Sequence, residues 1–422
     1  MTLTVDECIK LKLVHEVHTS ERRSFRACRR RWDWHFRHAY YPLVTAKPLE
    51  FGVAYHNAME MLYDPDSWKW TTEAKLKRAL TAFDQTCEKQ LAKALEVQDR
   101  ITLDTEIQED YNERVELGRG MIRYYATEVS PKLDIGWKPV RVEIAFMVPV
   151  PHPDTGKTIT CYCDNCYAKW LKSDYAKAEL AACADYNHDH DEIENRQGHF
   201  HGLPVVYAGR IDMLAKDDNG ALWIFDWKTA ASIPDNHEFL FLDDQISSYV
   251  WALVVGLGLK VRGFVYHEQR KGFPGAPKEN KHRRLGRLFS VAANQDTDYD
   301  TYLSTVKEHD TEAYDEGLYD EFLHFLREEG ITYYHREKVY KSFEELQEVG
   351  YNIGLEVLDM IDPQLRIYPS AGRFGCSFCA FQQPCREKNS KGDYQYALDT
   401  MYEQKEHYYV RTEASTESKG GE

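Results

Sequence analysis

Two strand-like runs, "LPVVYAGRIDMLAKD" (Leu203–Asp217) and "ALWIFDWKT" (Ala221–Thr229), flank the turn "DDNG", and this arrangement constrains the fold more than any other stretch. Asn-Gly in such a turn supplies the backbone freedom a tight hairpin needs, so the two runs are expected to pair as antiparallel neighbours. The next segment, "DDQISSYVWALVVGLG" (Asp243–Gly258), has helical apolar spacing and ends on glycine, and "KVRGFVYHE" (Lys260–Glu268) returns to a strand pattern. Hairpin, helix and strand in that order predict an α/β core around a mixed sheet. Side chains alternate along a strand, so Asp226 and Lys228 should project from one face at the end of an apolar run. Asp212, fourteen residues before Asp226, falls on the partner strand, and the hairpin would bring both carboxylates to one end of the sheet.

The remainder of the 422 residues divides around this core. Residues 1–136 read as helical, with "FGVAYHNAMEMLY" (Phe51–Tyr63) and longer helical patterns at Thr72–Val97 and Glu106–Glu128. The expected core is 137–295, opening on the strand pattern "WKPVRVEIAFMVPV" and interrupted at 152–201 by a polar insertion rich in Cys, His and Asp. Residues 296–410 read as helical again, and 411–422, "RTEASTESKGGE", as a disordered tail. No apolar run approaches the ~18 residues a membrane helix needs, and the N-terminus lacks an apolar signal core, so a soluble cytoplasmic protein is expected. A net charge of −16 excludes a uniformly basic nucleic-acid coat, which leaves local patches. Seven arginines lie within Arg22–Arg37, and Arg270–Arg287 is basic and Gly/Pro-rich; each could meet a polyanion or simply solvate a surface.

Two carboxylates with open water positions suit Mg²⁺ or Mn²⁺, and an ion there activates water and stabilises charge on a phosphate. A neighbouring lysine would orient or help deprotonate that water, or neutralise the phosphorane. The order Asp212, then Asp226-Trp227-Lys228, then Gln245 and Tyr249 on one helix face, resembles the PD-(D/E)XK nuclease superfamily, within it the RecB-like exonuclease domains. The resemblance implies a restriction-endonuclease-like fold, with a mixed central sheet flanked by helices. It implies a metal held by His56, Asp212, Asp226 and the Trp227 carbonyl, with catalytic roles for Asp212, Asp226, Lys228, Gln245 and Tyr249. Glu143, in "RVEIAF", matches a glutamate of the first strand. The implied reaction is hydrolysis of DNA, single- or double-stranded, from an end, in DNA processing, recombination or repair. A second copy of the chain or a recombination protein is carried as a further partner. The alternative is a non-cleaving DNA-binding scaffold of the same fold.

"CSFCAFQQPC" supplies Cys376, Cys379 and Cys385 with no fourth cysteine downstream. In the iron–sulfur branch of the same superfamily, which includes CRISPR-adaptation nucleases and phage relatives, one upstream cysteine completes such a trio around a [4Fe–4S] cluster. By that resemblance Cys28 is the fourth ligand, and the cluster joins the helical N- and C-terminal regions. Four thiolates would also satisfy Zn²⁺, the alternative occupant. Inside the insertion, "CYCDNCY" offers Cys161, Cys163 and Cys166, with Cys183 and His188, His190, His199 and His201 downstream. The Cys163-x₂-Cys166 spacing raises an additional Zn²⁺ held by Cys161, Cys163, Cys166 and Cys183, against a solvated loop with incidental thiols.

Overall fold

The two nearly continuous apolar runs either side of the DDNG turn form the long strands that organise the chain. A computed structural model describes residues 3–44, 47–100, 107–183 and 199–405. The expected tail at 411–422 and the histidines His188 and His190 lie outside the described residues. Seven strands build one sheet: β1 (His15–Val17), β2 (Lys138–Pro149), β3 (Thr160–Cys161), β4 (Leu203–Lys216), β5 (Leu222–Ala230), β6 (Val261–Arg270) and β7 (Tyr334–Val339). The order is β1-β4-β5-β6-β7, with β2 and β3 on the other edge of β4. β4 and β5 are antiparallel and β5 and β6 parallel, so the sheet is mixed as expected.

The sheet is flanked by α1 (Thr19–Ala27), α2 (Lys47–Leu62), α3 (Thr72–Arg100), α4 (Ile107–Tyr124) and, as the β5–β6 crossover, α5 (Asp244–Trp251). A long helix near the C-terminus, α6 (Phe343–Ile361), opens on a capping box from Ser342 and Glu345 and packs beside α5. One sheet face carries Leu214, Ile224 and Phe264 against α5 and α6, and the other carries Met213, Phe225 and Val265 against α2, α3 and α4. Both faces are therefore covered, which is why β4 and β5 read as almost continuous apolar runs. No described helix is long and apolar enough to cross a membrane.

Two strands differ from expectation. β7 comes from the stretch read as helical beyond Asp296; it pairs antiparallel with β6 along Tyr334–Val339. Its sequence, "YHREKV", is charged because it lies at the sheet edge, where only one side needs to be apolar. β1 is three residues long and pairs parallel with Val205–Tyr207 of β4. So short a run carries no period to detect.

The Arg-rich stretch is mostly internal structure. The Arg22 guanidinium is buried, 2.6 Å from Glu356 on α6 and 3.0 Å from Asp244 on α5, and Arg26 contacts the same two carboxylates at 2.8 Å each. Trp32 and Trp34 are buried, with the Trp32 indole N–H donating to Glu21 at 3.1 Å. Arg23 is the more open, its side chain 57% exposed and reaching Asp243 only at 3.8 Å. Arg22→Ala removes a buried guanidinium and leaves Asp244 and Glu356 to the more exposed Arg26, so it is expected to lower unfolding free energy by roughly 2–3 kcal/mol. Arg23→Ala should change it by less than about 0.5 kcal/mol. Urea denaturation of both variants reads the difference, and equal losses would contradict it.

Candidate active site at the fork between two strands

β4 and β5 stop pairing at Met213–Phe225 and splay apart. One residue further, Asp212 and Asp226 would have formed the next cross-strand pair, and instead they face each other across the fork. The side chain of Asp212 takes over the lost backbone partner: its Oδ2 accepts the Trp227 N–H at 2.8 Å. Asp226 and Lys228 share the α5 face by strand alternation, and the Lys228 ammonium lies 2.6 Å from Asp226 Oδ2. From α2, His56 Nδ1 comes within 3.3 Å of Asp212 Oδ2. The Asp243 side chain caps α5 by accepting from the Ile246 N–H at 3.0 Å, which fixes the first helical turn. Gln245 in that turn donates to Asp226 Oδ1 at 3.0 Å.

Each predicted residue of this group is thereby brought to one place, with two qualifications. Tyr249 is almost wholly buried, its ring 5.3 Å from that of Phe146, so it builds the wall beside the carboxylates. Glu143 sits opposite Asp212, between the Val142–Met213 and Ile144–Ile211 pairs, and its carboxylate meets Arg210 at 3.1 Å. Its φ of +48° is in the left-handed region, which costs a non-glycine residue about 1–2 kcal/mol. Sequence reasoning missed Arg210, although its place two residues before Asp212 puts it on the same strand face. A cleft of about 410 Å³ runs beside the carboxylates, lined by His18, Thr19, Arg23, Arg210, Gln245 and Tyr249.

Electrostatics follow from burial and from the two acids. Burial raises Asp226 to about 6; Lys228 pulls it down and the nearby Asp212 charge pushes it up. Asp212 is also penalised by burial, yet its hydrogen bond and charge interaction with His56 hold it below the ordinary carboxylate range. For His56 and Lys228 burial favours the neutral form, but the acids outweigh it and both are held protonated more firmly than usual. A buried and a half-buried carboxylate drawing cationic side chains to themselves, with oxygen donors on both strands and an imidazole alongside, form a donor set that fits Mg²⁺ or Mn²⁺.

The cysteines form two separate groups. Cys28 precedes the Arg29–Trp32 helix and accepts the Ser370 N–H at 3.4 Å, Cys376 accepts the Gly372 N–H at 3.5 Å, and Cys385 receives Arg30 at 3.4 Å. Burial chiefly raises the Cys379 thiol, and charges on Cys28 and Cys376 add to that. N-terminal and C-terminal segments are also joined by antiparallel pairing of Tyr40–Pro42 with Tyr402–Gln404. In the insertion, Cys161, Cys163 and Cys166 converge with a residue that nothing in the sequence singles out, His15 of β1. Cys183 ends the Asp174–Cys183 helix, and its side chain lies outside the described residues.

Asp226 gives a pH signature. Its raised value means the neutral carboxyl favours the folded state at low pH, and that contribution is lost as pH rises through about 6, where a buried charge forms. A divalent ion needs ionised Asp226 and deprotonated His56, so Mn²⁺ should raise Tm strongly near about pH 7.5 and hardly at all near about pH 5. Thermal unfolding with and without Mn²⁺ at both values measures this, and a shift independent of pH would refute it.

No curated protein matches the chain. A family model does: that of the PD-(D/E)XK nuclease superfamily, over residues 19–386. This match spans the fork, the crossover helix and both cysteine groups, and its fold is the mixed sheet flanked by helices described above. The chain belongs to the PD-(D/E)XK nuclease superfamily.

Proposed function

We propose that the chain is a divalent-metal-dependent DNA exonuclease that acts in DNA processing, recombination or repair. The observation that carries this is the fork itself, where Asp212 and Asp226 face each other with Lys228 2.6 Å from Asp226. His56, Asp212, Asp226 and the Trp227 carbonyl would hold Mg²⁺ or Mn²⁺. An ion so held lowers the pKa of a bound water and offsets charge on the phosphate. Gln245 orients Asp226 through its amide hydrogen bond. Lys228, kept as an ammonium by both acids, orients the attacking water and neutralises charge developing on the phosphate rather than taking a proton. Arg23 and Arg210, with side chains 57% and 65% exposed, would contact the DNA backbone along the cleft, and Tyr249 shapes its wall.

Cys28, Cys376, Cys379 and Cys385 would hold a structural [4Fe–4S] cluster. Support comes from the N–H and guanidinium donors aimed at three of the sulfurs. The cluster would bind the N-terminal region 1–136 to the C-terminal region 296–410, each of which also adds a strand to the central sheet.

Anaerobically purified protein is expected to be brown and to shorten end-labelled DNA with Mg²⁺ or Mn²⁺ but not with EDTA. Asp226→Ala should lower the rate at least about 1000-fold while DNA binding persists. DNA binding without cutting by wild type under every metal would instead establish the scaffold. Arg23→Ala and Arg210→Ala should each weaken binding similarly for all sequences and reduce the salt slope by about 1. An unchanged slope would remove the cleft as the DNA path.

A further inference from the structure

The insertion contains three thiols that, with an imidazole from β1, the nuclease chemistry does not use. Cys161 ends β3, Cys163 occupies the N-cap position of the helix Asp164–Lys172, and Cys166 lies in its first turn, so a strand end and a helix start present the sulfurs together. His15 of β1 completes the group from the N-terminal edge of the sheet. All four ligand atoms lie within 4.8 Å of one another. His15 Nδ1 is 3.1 Å from Cys166 Sγ, and Cys163 Sγ is 3.5 Å from Cys166 Sγ. Zinc–sulfur bonds of about 2.3 Å at tetrahedral angles separate ligand atoms by about 3.5–3.8 Å, close to this spacing. The cysteines are free thiols; Cys161, Cys166 and His15 are buried and Cys163 half-buried. A helix start favours thiolate ligands, because its N–H groups face them.

We propose that His15, Cys161, Cys163 and Cys166 bind one structural Zn²⁺, with no coordination position left for water. Three sulfurs and a nitrogen are the ligand set of closed structural zinc sites. The ion joins the insertion to β1, whose three pairings with β4 are a weak hold on their own. Two contacts run along the same seam: Lys169 donates to the Val14 carbonyl at 3.0 Å, and Asn165 to the Arg37 carbonyl at 3.3 Å. From β1 the chain passes directly into His18, Thr19 and Arg23, which line the cleft beside the carboxylates. Zinc thereby anchors one wall of that cleft from a distance. The site is independent of whether the fork cuts DNA.

Metal analysis of full-length protein purified from zinc-replete medium, with zinc counted separately from iron, tests the assignment. About one zinc per chain is expected, and Cys163→Ser should lose it. His15→Ala should weaken zinc binding by more than the roughly 10–100-fold that loss of an outer-shell partner costs. His15→Cys, which restores a four-ligand set, should keep the metal, and Cys183→Ser should keep it too. Co²⁺ exchanged into wild type should show the visible d–d bands of a tetrahedral thiolate site, shifted to lower energy in His15→Cys. Wild type without zinc would overturn the proposal. So would zinc lost in Cys183→Ser and kept in His15→Ala, or a Co²⁺ spectrum that His15→Cys leaves unchanged.

Discussion

The parting of β4 and β5 after Met213 and Phe225 is the constraint on which the site depends. Had pairing continued by one residue, Asp212 and Asp226 would have been ordinary neighbours on a continuous ladder. Because it stops, a buried backbone N–H at Trp227 loses its ladder partner, and Asp212 supplies the acceptor. That one hydrogen bond both closes the fork and aims a carboxylate into it. Asp226 meets the cost of burial through Lys228 and Gln245, one from its own strand and one from the crossover helix.

Contacts between helices position the crossover helix at that fork. Helix α5 must hold Gln245 against Asp226, and α5 is itself gripped at its first residue, Asp244, by Arg22 and Arg26. The same two arginines reach Glu356 on α6, so one charged cluster ties an N-terminal helix, the crossover helix and a C-terminal helix together. A buried guanidinium shared by two carboxylates specifies geometry more than it adds net stability. Asp244, its partner, is one residue from Gln245, which links the packing of α1 and α6 to the Asp226 carboxylate.

Much of this was legible in the sequence, for identifiable reasons. The DDNG turn between two apolar runs located the hairpin, and side-chain alternation along a strand put Asp226 and Lys228 on one face. The i, i+4 spacing of Gln245 and Tyr249 faced both toward the site, though only the packed structure shows Tyr249 acting as wall. Where the signal failed, it was tertiary. The charged edge strand β7 and the three-residue β1 carry no usable alternation. Arg22 and Arg26 read as either a polyanion patch or a solvated face because their carboxylate partners are more than two hundred residues away in the chain. His15 was invisible for the same reason, since nothing in its local sequence points to the thiols at 161–166.

Whether Asp212 and Asp226 form a single cation site across the fork is tested most directly by a crystal of the wild-type protein grown near neutral pH and soaked in Mn²⁺. Anomalous data collected at the manganese edge would locate the ion. One strong peak is predicted between the two carboxylates, within about 2.1–2.2 Å of an oxygen of each, with Lys228 drawn away from Asp226. A peak elsewhere, or an unoccupied fork with the Lys228–Asp226 pair still closed at saturating Mn²⁺, would contradict it.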